Sequence, residues 1–211
     1  MRITRRRLRG IIREAIAAEG RSSSIPIYTV FVYISRTRYR GMYAECDDVQ
    51  DLVQKLKDGD RSATQEAAAA LADHPSLRGF RGVVIPAPRS SAGRSSLAGF
   101  ARELVDLGVG SRVEVPVVRH TPVESSRLRR REGLPGVPAE EHLRTLGVGE
   151  HGIDPKEDVL IVDDVVTTGA TINSIAQVLR DGGHRGKIIG AAVASTEPNP
   201  TENPCRIKYP K

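Results

Sequence analysis

Runs of apolar residues without polar alternation mark the strands of this chain. Val159, Leu160, Ile161 and Val162 follow one another directly, which is typical of a strand buried on both faces of a parallel sheet. Other stretches rich in β-branched or apolar residues predict further strands. These stretches are residues 25–35, 83–85, 113–118 and 188–195.

Helical spacing of apolar residues appears between these strands. Residues 47–57 place Val49, Leu52, Val53 and Leu56 on one side. Ser62 is expected to cap a second helix that runs to about residue 73, with Glu66 in position for a capping box. Two more helices are predicted, near residues 97–104 and from residue 172 to the Gly182-Gly183 pair. Strands that alternate with helices predict an α/β fold with an open, mostly parallel sheet.

The first twenty residues form a segment of distinct composition. They carry six Arg and two Glu, a charge of +4 out of a total of +6 for the 211-residue chain. Apolar residues recur in them at helical spacing, which predicts a basic amphipathic helix over residues 1–20, followed by one domain over residues 21–211. The helix could dock on the domain or on a second subunit, or it could bind nucleic acid, anionic lipid or a protein partner; the sequence leaves these alternatives open.

Composition narrows the cellular setting. Cys46 and Cys205 lie far apart in the sequence and form no metal-type spacing, which favours a reducing cytoplasm. The longest apolar run, residues 25–34, is too short to span a bilayer. We therefore expect a cytoplasmic protein without a membrane span.

The chemistry of the chain is concentrated directly after the strand at residues 159–162. Asp163 and Asp164 follow it, and then a loop of small and hydroxylated residues, 167–171, leads into a helix. Backbone N–H groups at a helix start, together with Thr hydroxyls, can surround a phosphate. The two carboxylates can accept hydrogen bonds from a sugar diol. This order predicts a site for a phosphorylated sugar.

Residues 159–171 resemble the phosphoribosyl-pyrophosphate (PRPP) motif of the type I phosphoribosyltransferases. The resemblance implies that Asp163 and Asp164 bind the ribose 2′- and 3′-hydroxyls and belong to the catalytic residues. It also implies that the following residues contact the substrate, with 167–171 around the 5′-phosphate: Val165, Val166, Thr167, Thr168, Gly169, Ala170 and Thr171.

Two other segments extend this resemblance. Ala87, Pro88, Arg89 and Ser90 occupy the position of the family's pyrophosphate loop, and residues 119–131 occupy that of its closing loop. In the closing loop the resemblance assigns substrate binding to Arg119 and catalytic roles to Arg129 and Arg130. It assigns residues 25–58 and the C-terminal tail to a small variable hood.

Among subfamilies, the chain most resembles the ComF-like phosphoribosyltransferases. Residues 55–60, 86–88, 119–122 and 163–171 match their motifs in order. The chain departs from them in having no four-cysteine zinc ribbon, and in carrying Gly-Arg-Ser-Ser at 93–96 where they have Gly-Phe-Asn-Gln.

The resemblance implies an enzyme that uses PRPP and Mg²⁺ to transfer ribose 5-phosphate to a nucleobase or a related nucleophile, with release of pyrophosphate. PRPP oxygens would hold the Mg²⁺ near Asp163 and Asp164, without a dedicated set of protein ligands. A homodimer is compatible with this interpretation. A non-catalytic PRPP- or nucleotide-sensing regulator and a ComF-like accessory protein for nucleic acid, with residues 1–20 as the contact, are the alternatives.

Overall fold

The computed structural model describes residues 24–33, 47–89, 95, 97–122 and 139–196. Several predictions fall outside these residues: the helix at 1–20, residues 34–46 of the hood, Ser90, Arg129 and Arg130, and the tail from 197. None of the described helices is long and apolar enough to cross a bilayer.

Five parallel strands form the main sheet. In chain order the strands of the molecule are β1 (Ile27–Tyr33), β2 (Val83–Pro86), β3 (Arg112–Val113), β4 (Val117–Arg119), β5 (Leu146–Val148), β6 (Val159–Val166) and β7 (Ile188–Thr196). The order across the main sheet is β1-β7-β6-β2-β3, and every neighbouring pair is parallel. The predicted open, parallel α/β sheet is confirmed, and the apolar run at 159–162 lies in its buried centre.

Helices connect the strands. They are α1 (Asp47–Asp58), α2 (Arg61–Ala72), α3 (Ala98–Asp106), α4 (Ala139–Thr145) and α5 (Ala170–Asp181), with a 3₁₀ turn at Pro75–Leu77. The connection from β2 through α3 to β3 moves outward in one direction across the sheet, and the connection from β6 through α5 to β7 moves in the other. Because such crossovers are right-handed, α3 and α5 cover opposite faces.

The strand predicted at residues 113–118 is wrong in its extent. The chain leaves the main sheet after Glu114, whose N–H still donates to the Val84 carbonyl at 3.1 Å. It then resumes as β4, which pairs antiparallel with β5 in a separate two-stranded sheet. Pro116 lies at the break, and a proline has no N–H to offer a sheet ladder.

The described part of the candidate hood packs with the main domain. β1 is the edge strand beside β7. α1 buries Val49, Leu52, Val53 and Leu56 in the core, as the sequence pattern predicted. Helix α1 thereby stands next to β6 and β7, where it can contribute to a site at the ends of these strands.

The prediction that Ser62 caps α2 is also wrong. Gly59, with φ +80°, turns the chain directly after α1. Helix α2 therefore begins at Arg61, and Asp60 is its N-cap. The Asp60 carboxylate accepts a hydrogen bond from the Ala63 N–H at 2.8 Å.

Replacing Asp60 with alanine should therefore destabilise the protein by about 1 kcal/mol, because an N–H at the start of α2 loses its acceptor. For a domain of this size that lowers Tm by about 2–4 °C. Ser62→Ala, in the first turn of the same helix, is the matched control and should change the free energy of unfolding by less than about 0.5 kcal/mol. Thermal unfolding followed by circular dichroism measures both; a larger loss for Ser62→Ala would contradict the cap seen here.

Candidate active site

The carboxyl ends of β2 and β6 meet at the switch point of the sheet. Pro86 and Val162 are register partners, and the Ala87 N–H donates to the Val162 carbonyl at 2.8 Å. The chain leaves these two neighbouring strands toward opposite faces, which opens a crevice between the loops that follow them. Ligands of open α/β sheets bind in such a crevice. The loop after β2 and the motif after β6 are therefore neighbours in space.

The acidic pair lies inside β6 rather than after it. The strand continues through Asp163 and Asp164 to Val166, four residues beyond the predicted apolar run. Successive side chains of a strand point to opposite faces, but at this strand end the two carboxyl groups remain close enough to interact through a side-chain hydrogen bond, which raises the pKa of Asp163. Asp164 meets α1, where its Oδ2 lies 3.0 Å from the Lys57 ammonium.

Lys57 is a candidate site residue that sequence reasoning missed. Two signals pointed toward it: residues 55–60 match a ComF-like motif, and Leu56 is buried, so a flanking lysine lies near the core boundary. Burial alone would lower the pKa of Lys57, but the charge of Asp164 and their hydrogen bond hold the pKa above its ordinary value. The ammonium therefore remains a cation beside the acidic pair.

Asp163 has the most perturbed environment in the crevice. Burial raises the pKa of its carboxyl well above the usual range, and the charge of neighbouring Asp164 raises it further. The Asp163 Oδ1 accepts the Asp164 N–H at 2.9 Å, and the more distant Lys57 charge acts against the rise. A carboxyl that is difficult to ionise gains most from a ligand that supplies hydrogen-bond donors or positive charge.

The predicted phosphate loop is open at the start of α5. Thr167 and Thr168 are exposed, and Thr168 Oγ1 accepts the Ala170 N–H at 3.4 Å. The N-cap position is Gly169, which offers no side-chain acceptor to the first N–H groups of the helix. Helix N–H groups without such a cap are available to an anion.

Gly169 is required at this turn for two reasons. Its φ of +76° lies in the left-handed region. A Cβ atom would also stand 2.8 Å from Ile27 Cδ1 and 3.1 Å from Asn173 Nδ2. Asn173 in turn accepts the Ile25 N–H, which ties the segment before β1 to the first turn of α5.

The remaining residues of the motif have packing positions. Val165 and Val166 continue the ladder with Ala194 and Ser195 of β7 and pack against the core. Ala170 and Thr171 are half-buried in the first turn of α5. The Ala170 N–H donates to Thr168 Oγ1, which links the loop to the start of α5.

In the predicted pyrophosphate loop, Ala87 and Pro88 are buried and Arg89 is exposed. Ser95 fixes the loop from the α3 side, because its hydroxyl donates to the Ala87 carbonyl at 2.6 Å and accepts the Leu97 N–H at 3.1 Å. The exposed Arg89 guanidinium is the loop's candidate anion contact among the described residues.

Arg119 lies in β4, at the start of the predicted closing loop, and its side chain is buried with 4% exposure. Its guanidinium donates to the Arg89 carbonyl at 2.9 Å and to Thr145 Oγ1. Burial lowers its pKa, against the charge of Asp163 on the other side. In this arrangement, Arg119 fastens the small β4–β5 sheet to the loop after β2.

His142 on α4 completes this buried cluster. Its Nδ1 lies 3.2 Å from Arg119 Nη2. Because a guanidinium only donates, His142 Nδ1 must accept, and the proton of the neutral ring is on Nε2. Burial and then the Arg119 charge lower the pKa of His142, so the neutral form is the one that fits here.

A metal would find two adjacent carboxylates at this site. Among the described ranges, no group of three or more His, Cys, Asp or Glu side chains is arranged to hold an ion. Mg²⁺ commonly binds one or two carboxylates together with substrate phosphates, and Asp163 and Asp164 fit that donor set.

Replacing Asp163 with asparagine should stabilise the protein at alkaline pH. An acid whose pKa is raised by folding holds its proton more tightly in the folded state, so it costs stability as pH rises from the ordinary carboxyl range through the raised pKa. Asp163→Asn removes that cost; because 1 kcal/mol changes Tm by about 2–4 °C at this chain length, a Tm increase of a few degrees is expected at pH 8. The gain should shrink toward pH 4. A variant that is less stable than the parent at pH 8 would contradict the assignment.

Comparison with known proteins gives one similarity in sequence. No family model matches the chain. A curated hypoxanthine/guanine phosphoribosyltransferase of Methanothermobacter marburgensis is 32% identical over 80 residues, which cover 33% of this chain and 42% of that protein. The chain thus spans less than half of the length of this curated relative.

Solved structures give distant similarities. A purine phosphoribosyltransferase from Pyrococcus horikoshii Ot3 has 23% identity and a TM-score of 0.35, covering 63% of this chain and 79% of that chain. An adenine phosphoribosyltransferase from Thermoanaerobacter pseudethanolicus has 21% identity and a TM-score of 0.38, with 67% and 84% covered. Superpositions this poor carry no argument. The sequence similarity therefore links part of this chain to part of one curated hypoxanthine/guanine phosphoribosyltransferase.

Proposed function

We propose that the protein is a phosphoribosyltransferase that uses PRPP. The observation that carries the proposal is the position of Asp163 and Asp164 beside an uncapped helix N-terminus at the switch point of a parallel sheet. A diol-binding pair and a phosphate-binding turn are then separated by one short loop. That separation suits ribose 5-phosphate, whose hydroxyls and phosphate lie at opposite ends of one small ring.

In the proposed complex, the 5′-phosphate lies against the residue 167–171 turn. Its charge is stabilised by the α5 N–H groups and by the helix dipole. The ribose 2′- and 3′-hydroxyls donate to the carboxylates of Asp163 and Asp164. These contacts direct C1 of the ribose toward the loop after β2, where Arg89 is exposed.

The reaction exchanges one bond at C1. The bond from C1 to the pyrophosphate oxygen breaks and its electrons leave with pyrophosphate, while a ring nitrogen of the acceptor forms the new bond to C1. Positive charge develops on the sugar and negative charge on the leaving group. When bound, Mg²⁺ would neutralise part of the charge on the leaving group.

Side chains of the protein would stabilise the rest of that charge. Arg89 lies in the loop after β2. Arg129 and Arg130 belong to the segment that we propose closes over the site. Fixed cations directed at developing charge favour the transition state over the bound substrate. A closed segment would also exclude water, which would otherwise hydrolyse PRPP.

The acceptor is proposed to be a nucleobase or a similar ring with a nucleophilic nitrogen. The curated protein that shares part of its sequence with this chain is named a hypoxanthine/guanine phosphoribosyltransferase, which supports a nucleobase as the first class to test. The ComF-like resemblance is a finer proposal and is supported by the sequence motifs alone.

Release of pyrophosphate from PRPP and Mg²⁺, measured against a panel of purine and pyrimidine bases, tests the proposed activity. The protein should release pyrophosphate with at least one base. Replacing Arg129, Arg130 and Arg131 with alanine should lower kcat by about 10²–10³, and it should change the Kd for PRPP much less, because the closing segment is expected to act in the transition state.

The same assay separates the alternatives. A protein that binds PRPP tightly in calorimetry and releases no pyrophosphate with any base would be a sensor, contrary to the proposal. A triple variant with kcat within a few-fold of the parent would remove the closing role of the arginines and leave the enzyme assignment intact.

A further inference from the structure

The ion pair between Lys57 and Asp164 joins a helix of the domain to the candidate ribose site. The ammonium lies 3.0 Å from Asp164 Oδ2, with 47% of the lysine side chain and 16% of the aspartate side chain exposed. Asp164 is therefore the more enclosed partner, and the lysine reaches it from the edge of the crevice.

The Asp164 carboxylate is held at both of its oxygens. Oδ1 accepts the Val165 N–H at 2.7 Å, and Oδ2 is paired with Lys57. Two fixed contacts set the plane of the carboxylate. Each oxygen has two lone-pair positions, so each can still accept a hydroxyl of a ligand, and the direction in which it does so is set in advance.

The position of the Lys57 backbone is fixed by its neighbours. Leu56 is 1% exposed and Val53 is 2% exposed, which packs this side of α1 into the core. α1 contacts β1, β6 and β7, so the lysine stem starts from a rigid element directly over β6. Lys55, two residues earlier on the same helix, is exposed, and within the described part of the chain it makes no ion pair with Asp163 or Asp164.

We propose that Lys57 is a positioning residue for the ribose diol: it orients the Asp164 carboxylate and supplies a counter-charge to the acidic pair, and it acts on the sugar through that carboxylate. This inference rests on the proposed function, because it takes a phosphoribosyl group as the ligand. It deepens that function by assigning α1, which belongs to no segment of the PRPP motif, a role in sugar recognition.

The proposal separates ligands by whether they carry the diol. PRPP and ribose 5-phosphate both carry it, whereas pyrophosphate does not. Lys57→Met keeps the length of the side chain and removes the charge, so it should weaken PRPP and ribose 5-phosphate to the same degree. Since a partly exposed ion pair contributes modestly, we expect an increase of about three- to fivefold in both Kd values. Affinity for pyrophosphate should not change.

The experiment is calorimetric titration of the full chain with PRPP, ribose 5-phosphate and pyrophosphate, each with Mg²⁺. Lys55→Met is the matched control, with the same substitution on the same helix, and should bind all three ligands as the parent does. Lys57→Arg keeps the charge and should recover part of the affinity. In an Asp164→Asn background, Lys57→Met should change affinity by less than about 1.5-fold, because the carboxylate through which it acts is no longer charged.

Each outcome has a distinct meaning. Equal losses for PRPP and ribose 5-phosphate, absent for pyrophosphate and absent in the Asp164→Asn background, support the proposal. A matching loss for pyrophosphate would overturn it, since Lys57 would then bind the anion directly. Parent-like binding by Lys57→Met would overturn it and leave the proposed function standing. If the parent binds neither PRPP nor ribose 5-phosphate, the proposed function fails and the inference fails with it.

Discussion

Two adjacent carboxylates in the central strand of a buried sheet are the constraint on which the candidate site depends. Burial raises the pKa of Asp163, and the charge of Asp164 raises it further. The two carboxyl groups also interact directly through their side chains. The molecule places a cation near each: Lys57 from α1 pairs with Asp164, and the buried Arg119 from β4 acts electrostatically on Asp163.

The surrounding elements follow from this arrangement. α1 must pack closely on β6 to deliver Lys57, which its four buried apolar residues accomplish. The β4–β5 sheet must sit against the loop after β2, and Arg119 joins them through the Arg89 carbonyl. The switch point then lies between the Asp163–Asp164 pair and the exposed Arg89.

Local signals predicted the centre of the molecule well. The unbroken apolar run at 159–162 predicted a buried parallel strand, and the glycine at 169 predicted a turn before a helix. The parallel sheet and α5 were both confirmed. Predictions failed where a neighbour in space decides. Pro116 divides one apolar run between two sheets, and Gly59 lets Asp60 displace Ser62 as the cap of α2.

Long-range contacts could not be read from the sequence. Lys57 and Asp164 are separated by more than a hundred positions in the printed sequence, and nothing local distinguishes Lys57 from Lys55. The sequence placed Arg119 in a loop expected to bind substrate. Its burial depends on α4, because Thr145 Oγ1 and His142 Nδ1 accept hydrogen bonds from its guanidinium. Packing of distant elements decides such partners.

The central claim is that the end of β6 and the start of α5 form a phosphoribosyl site fixed from α1. Hydrogen–deuterium exchange of the full chain, with and without PRPP and Mg²⁺, tests it most directly because it reports on each segment separately. PRPP should slow exchange in peptides that cover residues 163–172 and in those that cover the end of α1 at 55–59. Protection confined to the opposite end of the sheet, for example around residues 78–82 and 156–158, or no protection at all, would contradict the account.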